Sequence, residues 1–189
     1  MAPNTPRERI LATATQLFAR EGIKAVGVNR IIEEAQVAPM TLYRQFGGKD
    51  ALVAAVVERW GTEWLQWLVE RIEAAGDDPA ARLERLWAAL QEWVGAEGLA
   101  GSLMANAAAE LRGEPGHPVQ RVIAAHRVAV RQVLEELAKA AGVGDPVGMA
   151  GQLQVLVDGA VAAAVTDGTA GAVRQARSLA AAALAAASA

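Results

Sequence analysis

Apolar residues recur every three or four positions along most of the chain, which is the spacing of one face of an amphipathic helix. In the first such segment the apolar stripe consists of Ile10, Leu11, Ala14, Leu17 and Phe18. Pro6 before it suits a first helical turn, and Gly22 after it suits a helix end. The spacing therefore predicts a helix from Pro6 or Arg7 to Arg20.

Two short helices with a tight turn between them are predicted next. One covers about Val28 to Ala35, the turn is Gln36–Val37, and the other runs from Pro39 to Phe46. Gly47-Gly48 ends the latter, because paired glycines break a helix. Its inward positions are Leu42 and Phe46, so the pattern leaves four side chains exposed: Met40, Thr41, Arg44 and Gln45.

The same periodicity continues to the end of the chain, and no segment has the alternation of a strand. Six further helices are predicted, over about 49–75, 79–94, 101–112, 118–141, 146–167 and 171–187. The sequence thus predicts an all-α fold of about nine helices. We expect an N-terminal helix-turn-helix domain at 1–48 and a C-terminal helical domain at 49–189.

Composition indicates the cellular compartment and excludes two kinds of cysteine-dependent site. Apolar residues make up 53% of the 189 positions, enough to bury a full core, and the absence of cysteine excludes disulfides and zinc–thiolate sites. We expect no apolar run to reach the roughly 20 residues that span a bilayer. The N-terminus lacks a signal-peptide pattern. These features predict a cytoplasmic protein with no membrane partner.

Charge is distributed unevenly along the chain. The net charge is −3 overall. Residues 1–50 contain seven basic and five acidic residues, a net +2, whereas the remainder contains 11 basic and 16 acidic residues, a net −5. This asymmetry indicates a modest phosphate-facing end on an acidic body.

The helix–turn–helix segment has the dimensions for reading duplex DNA. A helix fits the major groove, where its exposed N-terminal residues reach base edges. Met40 and Thr41 could pack on thymine methyl groups, and Arg44 could reach guanine or a phosphate. Lys49, at the start of the following helix, could bind a phosphate. The alternative is a helical hairpin with a solvated face.

The segment from Arg7 to Asp50 resembles the TetR family of bacterial transcriptional regulators, especially at Thr41-Leu42-Tyr43, Phe46 and Gly47-Gly48-Lys49-Asp50. The resemblance covers about a quarter of the chain. It implies a homodimer, a three-helix DNA-binding region and a C-terminal regulatory domain. It implies Met40 and Thr41 near bases, Tyr43 and Lys49 on phosphates, and Asn29 near the backbone or a base. Together with Ala38 and Arg44, these are the candidate DNA-binding residues. Three positions depart from the family pattern: Gln36 replaces the usual Gly, Ala38 the common capping Ser, and Gln45 the common His.

All five tryptophans lie between residues 60 and 93. They could pack the core, or they could line a cavity for an apolar or aromatic effector. The resemblance favours a cavity, because TetR regulators commonly bind inducers between helices four to eight. The candidate effector-binding residues are Trp64, Trp67, Trp87, Trp93, Met104, Asn106, Glu110 and His126.

Polar residues of the body have simpler alternatives. Glu110 could instead be a surface carboxylate or a helix-end partner of Arg112. His117 lies in a Gly/Pro segment and is expected to be exposed. Two histidines and a glutamate match no short metal-binding motif, so we expect neither a metal nor a cofactor.

The last two predicted helices are rich in Ala and Gly, which permit close helix approach. Intramolecular packing would explain this composition. The resemblance implies that two such helices from each subunit form the dimer interface. The candidate interface residues are Leu153, Leu156, Val157, Ala160, Ala164, Leu179 and Ala183.

The pattern as a whole predicts a DNA-binding transcriptional regulator rather than an enzyme. There is no cysteine, no recognisable Ser-His-acid arrangement and no Gly-rich phosphate loop after a strand, and Asp77-Asp78 is expected to precede or cap the fifth helix. The resemblance adds repression of a near-palindromic operator, with release by a small effector that shifts the fourth helix. The alternative is a helical interaction protein without sequence-specific DNA binding.

Overall fold

The computed structural model describes residues 5–97, 103–167 and 169–187, except the side chains of 96, 97 and 165. Within these residues the chain forms nine helices and no strand. The helices are α1 (Pro6–Glu21), α2 (Val28–Glu34), α3 (Pro39–Phe46), α4 (Lys49–Glu73), α5 (Pro79–Glu97), α6 (Leu103–Glu110), α7 (Val119–Ala140), α8 (Pro146–Asp167) and α9 (Gly171–Ala187). The predicted all-α fold is confirmed, and the helix ends that fall in this part of the chain agree with the predicted ones within three residues. The predicted first residues of α6, 101 and 102, lie outside it.

Helix ends follow from local side-chain chemistry. Thr5 and Glu8 form a reciprocal capping box at the start of α1, with the Glu8 N–H donating to Thr5 Oγ1 at 3.2 Å and the Thr5 N–H donating to Glu8 Oε2 at 2.9 Å. At the start of α5, Asp78 accepts hydrogen bonds from the N–H groups of Ala80 and Ala81 at 3.2 and 3.3 Å. Asp78 is therefore a helix cap, as expected.

The described residues within 1–62 and 102–126 form one compact unit, and those within 63–101 and 127–189 form another. Each unit has its own buried apolar cluster. The sequence-based division at residue 48 concerns function rather than packing, and it stays a prediction.

The core of the first unit joins α1, α2 and α3 to the first half of α4, to α6 and to the start of α7. Its largest fully buried side chains include Phe18, Ile10, Leu17, Ile31 and Leu42. These are the stripe positions predicted from the sequence. Burying a side chain of this size contributes roughly 1.5–3 kcal/mol, so the three N-terminal helices are held by packing rather than by their own short hydrogen-bond ladders.

The core of the second unit is built by the later parts of α4 and α7 together with α5, α8 and α9. Ala160 on α8 and Ala176 and Ala180 on α9 are buried in it, so small side chains do allow these helices to lie close together. Gln154, also buried, joins α8 to α7. It accepts a hydrogen bond from Arg131 Nε at 2.8 Å and donates one to the Arg127 carbonyl at 3.1 Å.

The segment Pro146–Ala164 of α8 corrects one expectation. It is long and apolar enough to cross a membrane, with a mean hydropathy of 1.3. Length and composition alone are weak evidence, because a core helix passes the same test. Leu153 and Val157 of this segment are buried in the second core, which is the environment of such a core helix.

Candidate nucleic-acid interface

Buried residues fix α2 and α3 on α1. Leu42 of α3 and Ile31 of α2 are fully buried in the first core. Phe46, at the end of α3, is half-buried and lies under the guanidinium of Arg7, which is 5.2 Å from the centre of the ring. The inward face of α3 is thus anchored at both its middle and its end.

The turn between α2 and α3 is formed by a residue in the left-handed region. Gln36 has φ of +52°, the conformation that favours glycine, the residue that the resemblance led us to expect here. The Val37 N–H donates to the Ile32 carbonyl at 3.3 Å, and Arg9 Nε of α1 donates to the Ala35 carbonyl at 3.3 Å. These bonds hold the turn despite the glutamine.

The start of α3 lacks a side-chain cap. Ala38 has the extended backbone of a capping residue (φ −67°, ψ 143°), but its methyl group accepts no hydrogen bond. Its carbonyl accepts from the Thr41 N–H at 2.8 Å. Pro39 follows as the first helical residue and has no N–H that needs a partner.

The outward face of α3 combines apolar, aromatic and charged side chains. Met40 is 75% exposed and Tyr43 46% exposed, Arg44 is exposed, and Thr41 is half-buried beside them. An exposed methionine at the first turn of a helix has no part in packing the core, so it is available to a partner. Asn29, in the first turn of α2, is also exposed.

Most basic side chains of the N-terminal segment are engaged within the protein. Arg20 pairs with Glu21, Arg30 pairs with both Glu21 and Glu34, and Lys24 Nζ lies 2.9 Å from Glu114. Arg7 and Arg9 make the contacts described above. Arg44 and Lys49 are different, because neither has an ion-pair partner among the residues that the structure describes. These two cations are free to meet phosphate.

A glycine turn connects α3 to α4. Gly47 ends α3 with φ of +80°, and its N–H donates to the Tyr43 carbonyl at 2.8 Å. Lys49 is then the first residue of α4 and is half-buried. The first N–H groups of an α-helix have no partner within the helix, and they lie beside this side chain. A positive side chain and a positive helix end therefore coincide.

Comparison with known proteins decides the family. Residues 10–56 match the family described as bacterial regulatory proteins, tetR family. A TetR-family transcriptional regulator from Streptomyces coelicolor is 31% identical, over 97% of this chain and 96% of that one, with a TM-score of 0.80. The chain belongs to the TetR family.

Other TetR-family relatives match less completely. The transcriptional repressor KstR2 of Mycolicibacterium smegmatis is 33% identical over 92 residues, which are 46% of this chain and 43% of that protein. The chain thus spans about half the length of the curated relatives that it matches. The reduced form of NemR from Escherichia coli shares the fold, with a TM-score of 0.76 over 92% of this chain and 94% of that one, at 21% identity.

The five tryptophans are divided between the two units, but the four proposed for the effector site, Trp64, Trp67, Trp87 and Trp93, all lie in the second. Trp60 packs against the first core, whereas Trp64 and Trp67 pack against the second. Trp87 and Trp93 are buried, and the Trp93 ring meets that of Trp64 edge to face at 6.0 Å. The guanidinium of Arg71 covers the Trp67 ring at 4.4 Å.

Met104 and His126 come together in the first unit around Gly61 of α4. A Cβ atom placed on Gly61 would lie 2.8 Å from Met104 Cε and 3.0 Å from His126 Nδ1, so glycine is what admits both side chains. Asn106 is half-buried on the same short helix as Met104. Four of the eight candidates, Met104, Asn106, Glu110 and His126, therefore belong to the first unit and lie on α6 and α7.

Glu110 and His117 differ from what their sequence context indicated. Glu110 accepts hydrogen bonds from the backbone N–H groups of Ile23 at 3.0 Å and Lys24 at 2.8 Å, so its carboxylate holds a loop. His117 is buried rather than exposed. Its Nδ1 accepts from the Val119 N–H at 3.1 Å, and its Nε2 lies 3.6 Å from Asp50 Oδ1. The Gly/Pro segment folds back on the unit, which the composition could not indicate.

A cavity of about 520 Å³ opens in the second unit. Its walls are mostly apolar side chains of α4 and α7, with Arg82, Glu73, Gln132 and Glu136 at polar positions. The apolar part consists of Leu65, Val69, Ile72, Ala129, Val133, Leu137 and Ala140. None of the eight candidates chosen from the sequence lines it. The sequence signal for it is the apolar stripe of Leu65, Val69 and Ile72 on α4, beside the face that carries the tryptophans.

The proposed dimer residues occupy both sides of α8 and α9. Leu153, Val157, Ala160 and Ala164 are buried within the chain, and Leu156 and Ala183 are half-buried against the same core. Leu179 is 60% exposed, and Val155, which was not among the candidates, is 68% exposed. The inward stripe of α8 is therefore satisfied within one chain, and its opposite face carries exposed apolar surface.

Proposed function

We propose that this TetR-family protein binds duplex DNA through the exposed face of α3 and the start of α4, and that it represses transcription from a near-palindromic operator. One observation carries the proposal. A buried Leu42 fixes α3 while Met40, Tyr43 and Arg44 on its other face remain exposed. A helix presented in this way has the shape and the chemistry to enter the major groove.

Each exposed group has a distinct task in this proposal. Met40 and Thr41 pack against thymine methyl groups, and Arg44 donates to guanine or to a phosphate. Lys49 and Tyr43 bind backbone phosphates, and Asn29 approaches the neighbouring strand from α2. Ala38 supplies close backbone approach at the helix start. With so few charged groups at the tip, DNA shape contributes to selectivity beside direct contacts.

Two copies of the chain are needed to read two half-sites. Helix-turn-helix dimers read half-sites spaced by about 34–36 Å or a multiple of it. We place the dimer interface on the outer faces of α8 and α9, because Val155 and Leu179 are exposed there. Apolar side chains at such exposure are unfavourable in a free monomer and favourable in a helix-packed dimer.

Repression and effector release are carried over from relatives. KstR2 and NemR are named transcriptional repressors. We propose that an apolar effector binds in the second unit, in the α4–α7 cavity or at the tryptophan cluster, and favours a spacing of the DNA-binding units that does not fit the operator. Such a regulator works in the cytoplasm, where the DNA is.

The experiment for the effector uses the cavity wall. Compounds are screened for release of the protein from a fluorescent operator duplex. Ala129→Phe, which fills the cavity, is expected to abolish release by an active compound without weakening DNA binding. Val128→Phe, at the exposed neighbouring position of α7, is the matched control. Undiminished release of Ala129→Phe by the compound would exclude the α4–α7 cavity and leave the tryptophans as the effector site.

The experiment for DNA binding removes the charges of Arg44 and Lys49. The protein selects an operator from a random duplex pool, and the affinity for that duplex is measured by fluorescence anisotropy. Arg44→Ala with Lys49→Ala is expected to reduce affinity by on the order of 100-fold and to lessen its salt dependence. Arg85→Ala with Lys139→Ala removes as much charge from internally paired residues of the second unit and should change affinity far less. Equal losses from both double variants would contradict the proposed contact surface.

A further inference from the structure

The loop between α1 and α2 is held by a carboxylate from a distant part of the sequence. The two oxygens of Glu110, the last residue of α6, accept hydrogen bonds from consecutive backbone N–H groups, Oε1 from Ile23 at 3.0 Å and Oε2 from Lys24 at 2.8 Å. Hydrogen bonds to an ionised acceptor are about twice as strong as neutral ones. Both partners are more than 80 positions away in sequence.

The backbone at the end of α1 is shaped for this contact. Gly22 has φ of +88° and ψ of 157°, a conformation that is essentially restricted to glycine. A Cβ atom at Gly22 would lie 3.1 Å from Glu110 Oε1, so any larger residue would press on the carboxylate. Gly22 therefore both directs the N–H groups of the next two residues toward Glu110 and leaves room for its carboxylate.

The loop that Glu110 holds leads directly into the DNA-binding helices. Ile23 and Val26 are buried in the first core together with Ile31 of α2. Asn29 and Arg30 form the first turn of α2, immediately after the loop. A displacement of the loop must therefore displace the start of α2 and, through the shared core, α3.

We propose that Glu110 is a positioning residue for DNA binding, which fixes the α1–α2 loop and with it the orientation of α2 and α3. The inference rests on the proposed function. Lys24 Nζ, which pairs with Glu114 at 2.9 Å, adds a second tie from the same α6–α7 segment. Any movement of α6 relative to α1 must either carry the loop along or break these bonds, so the carboxylate also links α6 to the reading helices.

The test compares Glu110→Ala and Glu110→Gln with a neighbouring control. Glutamine keeps the size and one acceptor oxygen, whereas alanine removes both. The control is Gln120→Ala, which loses the 2.8 Å hydrogen bond from Gln120 Nε2 to the Leu111 carbonyl in the same α6–α7 turn but does not alter the loop contact. Affinity is measured for the duplex that the wild type selects and for an unrelated duplex, and amide hydrogen exchange is followed at Ile23 and Lys24.

Affinity for the selected duplex is expected to fall by on the order of tenfold in Glu110→Ala and about threefold in Glu110→Gln. The affinity of both Glu110 variants for the unrelated duplex should stay near the wild-type value. The affinity of Gln120→Ala for both duplexes should also stay near the wild-type value. Exchange at Ile23 and Lys24 should accelerate in the same order. These readouts separate orientation from simple loss of stability, because only folded, dimeric protein is titrated.

Two results would overturn the inference. One is wild-type affinity for the selected duplex in Glu110→Ala. The other is an equal loss in Gln120→Ala, which would mean that the α6–α7 turn matters only for stability. If Glu110→Ala does not fold, Glu110→Gln and its exchange rates decide the question. A wild type that selects no duplex would remove the proposed function itself, and that outcome is recognised before any variant is made.

Discussion

At the scale of single residues, Gln36 shows how the turn between α2 and α3 accommodates an unfavourable backbone conformation. It is the non-glycine residue with positive φ in the part of the chain that the structure describes. The left-handed conformation is unfavourable by roughly 1–2 kcal/mol for such a residue. Arg9 and the Val37 N–H hold the turn on either side, so packing and hydrogen bonds offset the strain.

Gln36→Gly is expected to stabilise the protein by about 0.5–1 kcal/mol, because glycine adopts positive φ without strain but loses more entropy on folding. Urea unfolding measures the difference. The same substitution at exposed Gln45, inside α3, should destabilise by about 1 kcal/mol. Destabilisation by both substitutions would show that the Gln36 conformation is not strained.

The ion pairs of Glu21 should make the stability of the protein depend on pH in the acidic range. The hydrogen bonds from Arg30, and then from Arg20, lower the pKa of Glu21 below its ordinary value. A carboxylate with a lowered folded-state pKa stabilises the protein above its unfolded-state pKa, and this contribution is lost as the pH falls through the folded-state pKa.

The free energy of unfolding of wild type and Glu21→Gln should therefore differ by a constant amount at neutral and mildly acidic pH. The difference should shrink below pH of about 4.5, where the unfolded-state carboxyl becomes protonated. Denaturant titrations at a series of pH values test this. A difference that persists undiminished to the lowest pH at which the protein folds would exclude the ion pair as its source.

Residue contacts divide into those that a sequence can predict and those that it cannot. Leu42 and Phe18 could be placed in the core because helical periodicity marks an inward face. The contact of Glu110 could not be predicted, because its partners are backbone N–H groups, which every residue except proline carries, and they lie far away along the chain. The burial of His117 depends on how a Gly/Pro segment folds back, which local spacing does not determine.

At the scale of helices, α3 is anchored well at its end and weakly at its beginning. Gly47 closes α3 with a glycine cap, and Phe46 is covered by Arg7. Its first residue is preceded by Ala38, which has the right backbone conformation for a cap but no side-chain acceptor. The sequence predicts this absence, because the methyl group of alanine has no hydrogen-bond acceptor.

Ala38→Ser should stabilise α3 by about 0.5–1 kcal/mol, since its hydroxyl can accept a hydrogen bond from an N–H of the first helical turn. Thermal unfolding and amide exchange within α3 measure the gain. Ala38→Val offers a β-branched control that cannot cap the helix and should not stabilise it. A serine variant no more stable than the valine variant would contradict the account.

Helices α8 and α9 show the limit of periodicity as a guide. Both faces of α8 carry small or apolar residues, so spacing alone could not distinguish the inner stripe from the outer one. Leu153 and Val157 belong to the core of their own unit, whereas Val155 points away from it. Only the burial of each side chain in the folded chain shows which residues of α8 pack internally and which remain exposed for a partner.

At the scale of the whole molecule, the proposed dimer predicts a specific pattern of disruption. Leu179→Glu and Val155→Glu should convert the protein to monomers with little loss of helicity, because a charge in an apolar interface cannot be solvated. Val128→Glu, at a comparably exposed position on α7, should stay dimeric. Analytical ultracentrifugation checks all three. Dimers that persist in both α8 and α9 variants would place the interface elsewhere.

The central claim is that the exposed face of α3 reads a particular DNA sequence while Lys49 of α4 binds a backbone phosphate. The most direct measurement is the affinity of the wild-type protein for its selected duplex and for an unrelated duplex, over a range of salt concentrations. We predict binding to the selected duplex that is at least about 1,000-fold tighter, with an affinity for both that falls steeply as salt increases. Equal affinities for the two duplexes, or no enriched sequence in the selection, would contradict the account.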